Sequence, residues 1–201
     1  MTTPTEIVLV VEDDLSDAVM RRVIASVGDR LTVNRSVITG GAGNIRSGLS
    51  KYRNASHVLP HVVVTDLDRY DCPPALLADW GAVRFPGSLL FSVAVRETEA
   101  WLLADRDALA GMLGVHTAKI SQQPELESDP KRTLVNLARK CRRRRLRDEL
   151  VPAEGSPNQI GPAFNARMSQ FVRDLWNVGR AREVAPSLAR TIDRLATFPA
   201  R

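Results

Sequence analysis

Short apolar runs, each leading into acidic residues, constrain the fold of this chain more than any other feature. Glu6 to Val11 reads Glu-Ile-Val-Leu-Val-Val and runs into Glu12-Asp13-Asp14. His61 to Thr65 reads His-Val-Val-Val-Thr and ends at Asp66. Leu89 to Val95 reads Leu-Leu-Phe-Ser-Val-Ala-Val and leads to Glu97 and Glu99. Runs this short, with little polar alternation, predict strands buried on both faces, as in a parallel sheet covered by helices. Between the runs the apolar spacing becomes helical. Ala18, Val19, Val23, Ile24 and Val27 predict a helix over Ser16 to Val27. Val33 to Ile38 predicts a further strand, closed by Gly40-Gly41-Ala42-Gly43, with a helix to follow over 44–53. Pro73 opens a short helix that reaches Trp80. The stripe of Trp101, Leu102, Ala108, Leu109 and Leu113 predicts one helix over Glu97 to Leu113.

Strand–helix alternation predicts an α/β fold with a parallel, Rossmann-like central sheet flanked by helices. After residue 114 the strand signals cease. Ser128-Asp129-Pro130 reads as a helix start with Pro near N1, and helices are expected over Thr133 to Leu150, Ala163 to Trp176 and Ser187 to Ala196, with a Pro- and Gly-bearing loop from Val151 to Gly161. The expected organisation is an α/β domain over 1–112 and a helical extension over 113–201 packed on it.

Charge is unevenly spread. The chain carries 28 Lys and Arg against 23 Asp and Glu, a net charge of +5. Nine of the cations are Lys131, Arg132, Arg139, Lys140, Arg142, Arg143, Arg144, Arg145 and Arg147, and no acid lies among them. The remainder is mildly acidic. A cationic segment on an acidic body attracts polyanions, because neutralising phosphates releases counterions. The segment also suits a solvated helix face or pairing with the acidic body. Aromatic residues are 5% of the chain and none lies inside the segment, so base stacking is not indicated. Two cysteines, Cys72 and Cys141, exclude a disulfide framework. The start of the chain lacks the charged and apolar regions of a signal peptide, and no apolar run is long enough to span a bilayer. A cytoplasmic protein is expected.

Ligands of parallel sheets bind beyond the carboxyl ends of the strands, where the acids of this chain lie. Converging carboxylates repel unless a cation separates them, and hard oxygen ligands select Mg²⁺ or Mn²⁺. The expected site has Glu12 as metal ligand and general acid or base, with Asp66 and Asp68 as catalytic metal ligands. Glu97 is a further ligand, and Asp13, Asp17 and Glu99 stand behind them. Acids in these places also cap helices, and that reading stands beside the metal. His57, His61 and His116 lack metal-ligand spacing, and His61, opening a strand, is expected to be structural. There is no P-loop motif. Gly40-Gly41-Ala42-Gly43 either brings backbone amides near a phosphate or simply turns the chain.

Glu12 after the first strand and Asp66-Leu67-Asp68 after the third resemble the Toprim domain of topoisomerases, primases and overcoming-lysogenization-defect nucleases. The segment Val95-Arg-Glu-Thr-Glu-Ala-Trp-Leu-Leu-Ala-Asp105 is similar to a signature of small Toprim-like proteins, the domain-of-unknown-function 4276 family. The tail from Ile160-Gly-Pro-Ala-Phe-Asn165 through Pro186-Ser-Leu-Ala-Arg190 is similar to theirs too. That family usually has Gly where Asp13 stands, and often an acid where Ser16 stands. The resemblance implies a divalent-metal-dependent nuclease acting on nucleic acid, DNA ahead of RNA. It also implies a separately encoded ATPase partner and a role in antiviral defence.

Two alternatives stand beside it. Val11-Glu12-Asp13-Asp14 is similar to the opening of a response-regulator receiver domain, with Asp66 as phospho-acceptor and Thr98 and Lys119 as its companions. That reading needs Lys119 at the end of a fifth strand and leaves Asp68, Glu97 and Glu99 without a role. The other alternative is a non-catalytic subunit that holds nucleic acid or an ATPase.

Overall fold

The computed structural model describes residues 3–82 and 84–199. They form an α/β fold of two compact units, one within 1–95 and 187–201 and the other within 96–186. The expected boundary at 112 falls inside the second unit.

The first unit is a four-stranded sheet in the order β2-β1-β3-β4. Its strands are β1 (Thr5–Val11), β2 (Leu31–Ile38), β3 (His61–Asp66) and β4 (Leu89–Ala94), and all pairings are parallel. Ile7 to Val11 are at most 1% exposed. Each such side chain is worth about 1.5–3 kcal/mol relative to exposure, which is why the unbroken runs predict the strands. Crossovers between parallel strands are right-handed as a rule, which sorts the helices of such a sheet by face. From α2 (Ala42–Ala55), Ile45 and Leu49 pack with Val8, Val10, Val63 and Phe91, and Leu76 of α3 (Pro73–Asp79) joins them. The alternate residues Ile7, Leu9, Val62 and Val64 face the other way, the side of α1 (Asp14–Ser26).

The outer edge of β4 is covered from the far end of the chain by α10 (Pro186–Thr197). Arg194 Nη1 donates to the carbonyl of Phe91 at 2.6 Å, and Val95 N donates to Ser187 Oγ at 3.2 Å. The hydroxyls of Ser92 and Thr191 also bond to each other. An unpaired edge is a template for aggregation, and these side chains occupy part of it.

His61 opens β3 at 3% exposure, and its Nδ1 lies 2.6 Å from the carbonyl of Leu59. Burial lowers its pKa from the ordinary 6.5, more than the Leu59 bond restores, and Arg35 adds to the lowering. A depressed histidine pKa makes the unfolded chain take up the proton first as pH falls, so stability drops below the ordinary histidine range. The stability difference between wild type and His61→Gln is therefore expected to be constant at alkaline pH and to move in favour of the variant on acidification. Thermal melts across pH check this, and a difference that stays constant would remove the assignment.

The second unit is helical and is built round α4 (Thr98–Ala104), every residue of which is buried. Around it stand α5 (Arg106–Leu113), α6 (Pro130–Ala138), α7 (Arg144–Leu150), α8 (Phe164–Asp174) and α9 (Val178–Val184). Trp176 and Trp101 are fully buried, and Trp176 Nε1 donates to the carbonyl of Trp101 at 3.1 Å. Three features differ from expectation. The helix over Glu97 to Leu113 is two helices that meet at Asp105. The one entered at Asp129-Pro130 starts there as expected but is broken between Ala138 and Arg144 instead of running on to Leu150. The helix α9, capped by Asn177, lies where none was expected.

Candidate functional site

The strand order reverses between β1 and β3, and such switch points are where open parallel sheets bind ligands. Glu12 stands there, one residue past β1. Its Oε1 accepts from Thr65 Oγ1 at 2.6 Å and from Asp66 N at 2.9 Å, at the end of β3. Its carbonyl accepts from Gly40 N at 2.8 Å, in the turn after β2. One glutamate thus joins the ends of three strands. Its Oε2 takes no partner among the described residues. Gly40 and Gly41 have φ of 80° and 137°, which L side chains rarely adopt. They deliver the chain to the N-terminus of α2, whose cap at Gly41 has no side-chain hydrogen bond.

The Asp-Leu-Asp motif is built around its middle residue. Leu67 is 1% exposed in the core, and its N–H donates to the carbonyl of Ala94 at 2.8 Å. Asp66 and Asp68 flank it, half-buried and exposed. Asp68 has a φ of 52°, in a region where aspartate is among the tolerated residues. The two acids near Glu12 have helix work. Asp13 caps α1, accepting from Ser16 N at 2.8 Å. Asp17 pairs with Arg21 at 2.9 Å and accepts from the Ser36 hydroxyl.

Glu97 and Glu99 belong to the second unit, where both meet Lys131. Glu97 Oε2 accepts from Lys131 N at 3.1 Å, and buried Glu99 pairs with Lys131 Nζ at 3.2 Å. They hold the first turn of α6. Among the described residues no three His, Cys, Asp or Glu side chains are grouped to hold a metal ion.

No protein-family model, curated protein or solved structure matches the chain.

The basic segment divides in two. Asp148 and Glu149 follow it directly and answer its second half. Arg144 and Arg147 lie 3.6 and 3.8 Å from Asp148, and Arg145 lies 3.2 Å from Glu149. Arg167 also grips Glu149, at 2.7 Å, and with Arg145 holds that carboxyl below its usual range. Arg143 bonds the carbonyls of Gly111 and Met112. In the first half, Arg139 donates to Asn136 Oδ1 at 2.8 Å, a neutral partner. The side chains of Arg132, Lys140 and Arg142 have no ion pair among the described residues. Lys119 lies on a 3₁₀ turn, Thr117–Lys119, and not at a strand end, so the receiver alternative lacks the lysine position it requires.

One residue with a central place was given no role from sequence. Asp105 is 1% exposed and accepts from Asn177 N at 2.7 Å and from Arg180 Nε and Nη2 at 2.8 and 2.9 Å. Its signal was an acid at the end of an otherwise apolar stretch, Ala-Trp-Leu-Leu-Ala-Asp105.

Proposed function

We propose that the chain is a divalent-metal-dependent phosphodiester-processing protein acting on nucleic acid, with Glu12 at its centre. The observation that carries this reading is Glu12 at the switch point, tied through one carboxylate oxygen to the end of β3 and through its carbonyl to the end of β2. The Toprim resemblance points to the same residues. The donor set suits Mg²⁺ in kind. That ion keeps several waters and is held by one or two carboxylates together with phosphate oxygens, so it needs no cage of three acids. Glu12 and Asp66 would hold it, with Asp68 as a further candidate ligand; Glu97 is left to α6. When bound, the ion supplies a polarised phosphoryl oxygen and an acidified water. The Thr65 hydroxyl and the Asp66 amide fix the Glu12 carboxylate in place. A separately encoded ATPase and a defence role belong to the same proposal and rest on the resemblance alone.

Glu12→Gln is expected to lower Mg²⁺- or Mn²⁺-dependent cleavage of plasmid DNA by about a hundredfold or more and to weaken Mn²⁺ binding followed by titration. Undiminished cleavage by the variant would reject the site. Mn²⁺ and nucleic-acid binding without cleavage by either protein would select the non-catalytic reading.

A further inference from the structure

Beside α6 the second unit holds a cleft of about 650 Å³ that no feature of the metal reading uses. One wall is a face of α6 carrying Lys131, Arg132, Asn136 and Arg139, and the other is the loop over 151–159. We propose that this cleft binds one phosphorylated nucleoside unit, free or within a single strand. The inference deepens the nucleic-acid part of the reading above and does not depend on its metal.

Three observations carry it. The first is size. Ligand pockets run from about 300 to 1,000 Å³, so the cleft suits a nucleotide and is too small for a duplex. The second is which cations are available. Arg144, Arg145 and Arg147 already answer Asp148 and Glu149. Arg132 and Arg139 line the cleft with no acid paired to either side chain among the described residues. Guanidinium groups bind phosphate through paired donors, so these two are the natural anchors. Lys131 lines the same wall but is held by Glu99 at 3.2 Å. Two acids also border the cleft. Asp129 is committed to Arg132 N at 2.7 Å, capping α6, and Glu154 lies on the loop. The third is the remaining lining. Asn136, Asn158 and Gln159 offer amide donors and acceptors of the kind that read base edges, and Val135, Val151 and Pro152 offer apolar contact. No aromatic residue lines the cleft, so a base there is held by its edge and not by stacking.

The test uses the full chain in EDTA, which separates it from the metal site. The probes are AMP and a short fluorescein-labelled oligothymidylate, with a duplex of the same length for comparison. The double variant Arg132→Gln/Arg139→Gln is expected to raise Kd for the single strand by about tenfold or more. It should also flatten the log–log salt slope by about one to two units. The triple variant Arg144→Gln/Arg145→Gln/Arg147→Gln, with one more charge removed, should change Kd by less than about threefold, because exposed paired cations contribute little. AMP competing with the strand places a single nucleotide in the cleft, whereas strand binding without competition by AMP restricts the ligand to a strand. Either result supports the cleft. Equal binding by wild type and double variant, or a larger loss in the triple variant, overturns it. An unchanged Kd in the double variant, with Glu12-dependent cleavage intact, would reject the cleft and leave the metal reading standing.

Discussion

Gly161→Ala is expected to cost the second unit about 3 kcal/mol or more, the upper range for forcing atoms into packed structure. A Cβ at this position would lie 2.5 Å from the carbonyl oxygen of Glu149, 2.5 Å from the carbonyl carbon of Leu150 and 2.6 Å from the nitrogen of Val151. All three are backbone atoms, so no rotamer change relieves the contact. The approach is close because Gly161 N donates to the carbonyl of Leu150 at 3.0 Å and Ala163 N to that of Glu149 at 3.0 Å. Together they pin the neck of the loop that lines the cleft. Gly111→Ala supplies the contrast within the same unit. Gly111 lies on α5, exposed, with nothing within 4 Å of its would-be Cβ. It is expected to gain about 0.5–1 kcal/mol from helix propensity. Chemical denaturation of the two variants checks the pair, and an alanine at 161 that leaves the midpoint unchanged would show that the neck is not as tight as described.

Asp105→Ala is expected to destabilise the second unit by about 3 kcal/mol. Its carboxylate is buried, caps α5 with a 3.4 Å bond from Ala108 N, and binds α9 through Asn177 N and Arg180. Removing it strands the Asn177 amide and unties α9 from the α4–α5 corner. Asp105→Asn keeps the volume but turns an amide nitrogen toward donors, so it should recover only part of the loss. Full stability of the asparagine variant, measured by the same denaturation, would show that charge has no part in the corner.

These positions show where the sequence was readable. The strands were legible because burial on both faces leaves no room for polar residues, and Ile7 to Val11 display that directly. Glu12 and Asp66 were legible as the first acids after such runs. The break at Asp105 was hidden because apolar spacing continues across it to Leu109 and Leu113. The chain turns there on account of Asn177 and Arg180, more than seventy residues away. The partnership of Glu97 and Glu99 with Lys131 is hidden for the same reason. The division of the basic segment was partly visible, since Asp148 and Glu149 stand beside it, but a count stopping at Arg147 leaves them out.

The covering of β4 by α10 has a consequence for how the chain assembles. The polypeptide leaves the first unit after Val95 and re-enters it at Ser187, and those two residues are hydrogen-bonded. The second unit is therefore an insertion whose entry and exit are neighbours. While it is unfolded, seating α10 on the sheet means closing a loop of about 90 residues, an entropic cost of order 4 kcal/mol. Folding of the insertion brings those ends together and removes most of that cost. A short linker replacing 96–186 would do the same, so a sheet with its own C-terminal helix should be obtainable as a separate, smaller protein carrying Glu12, Asp66 and Asp68.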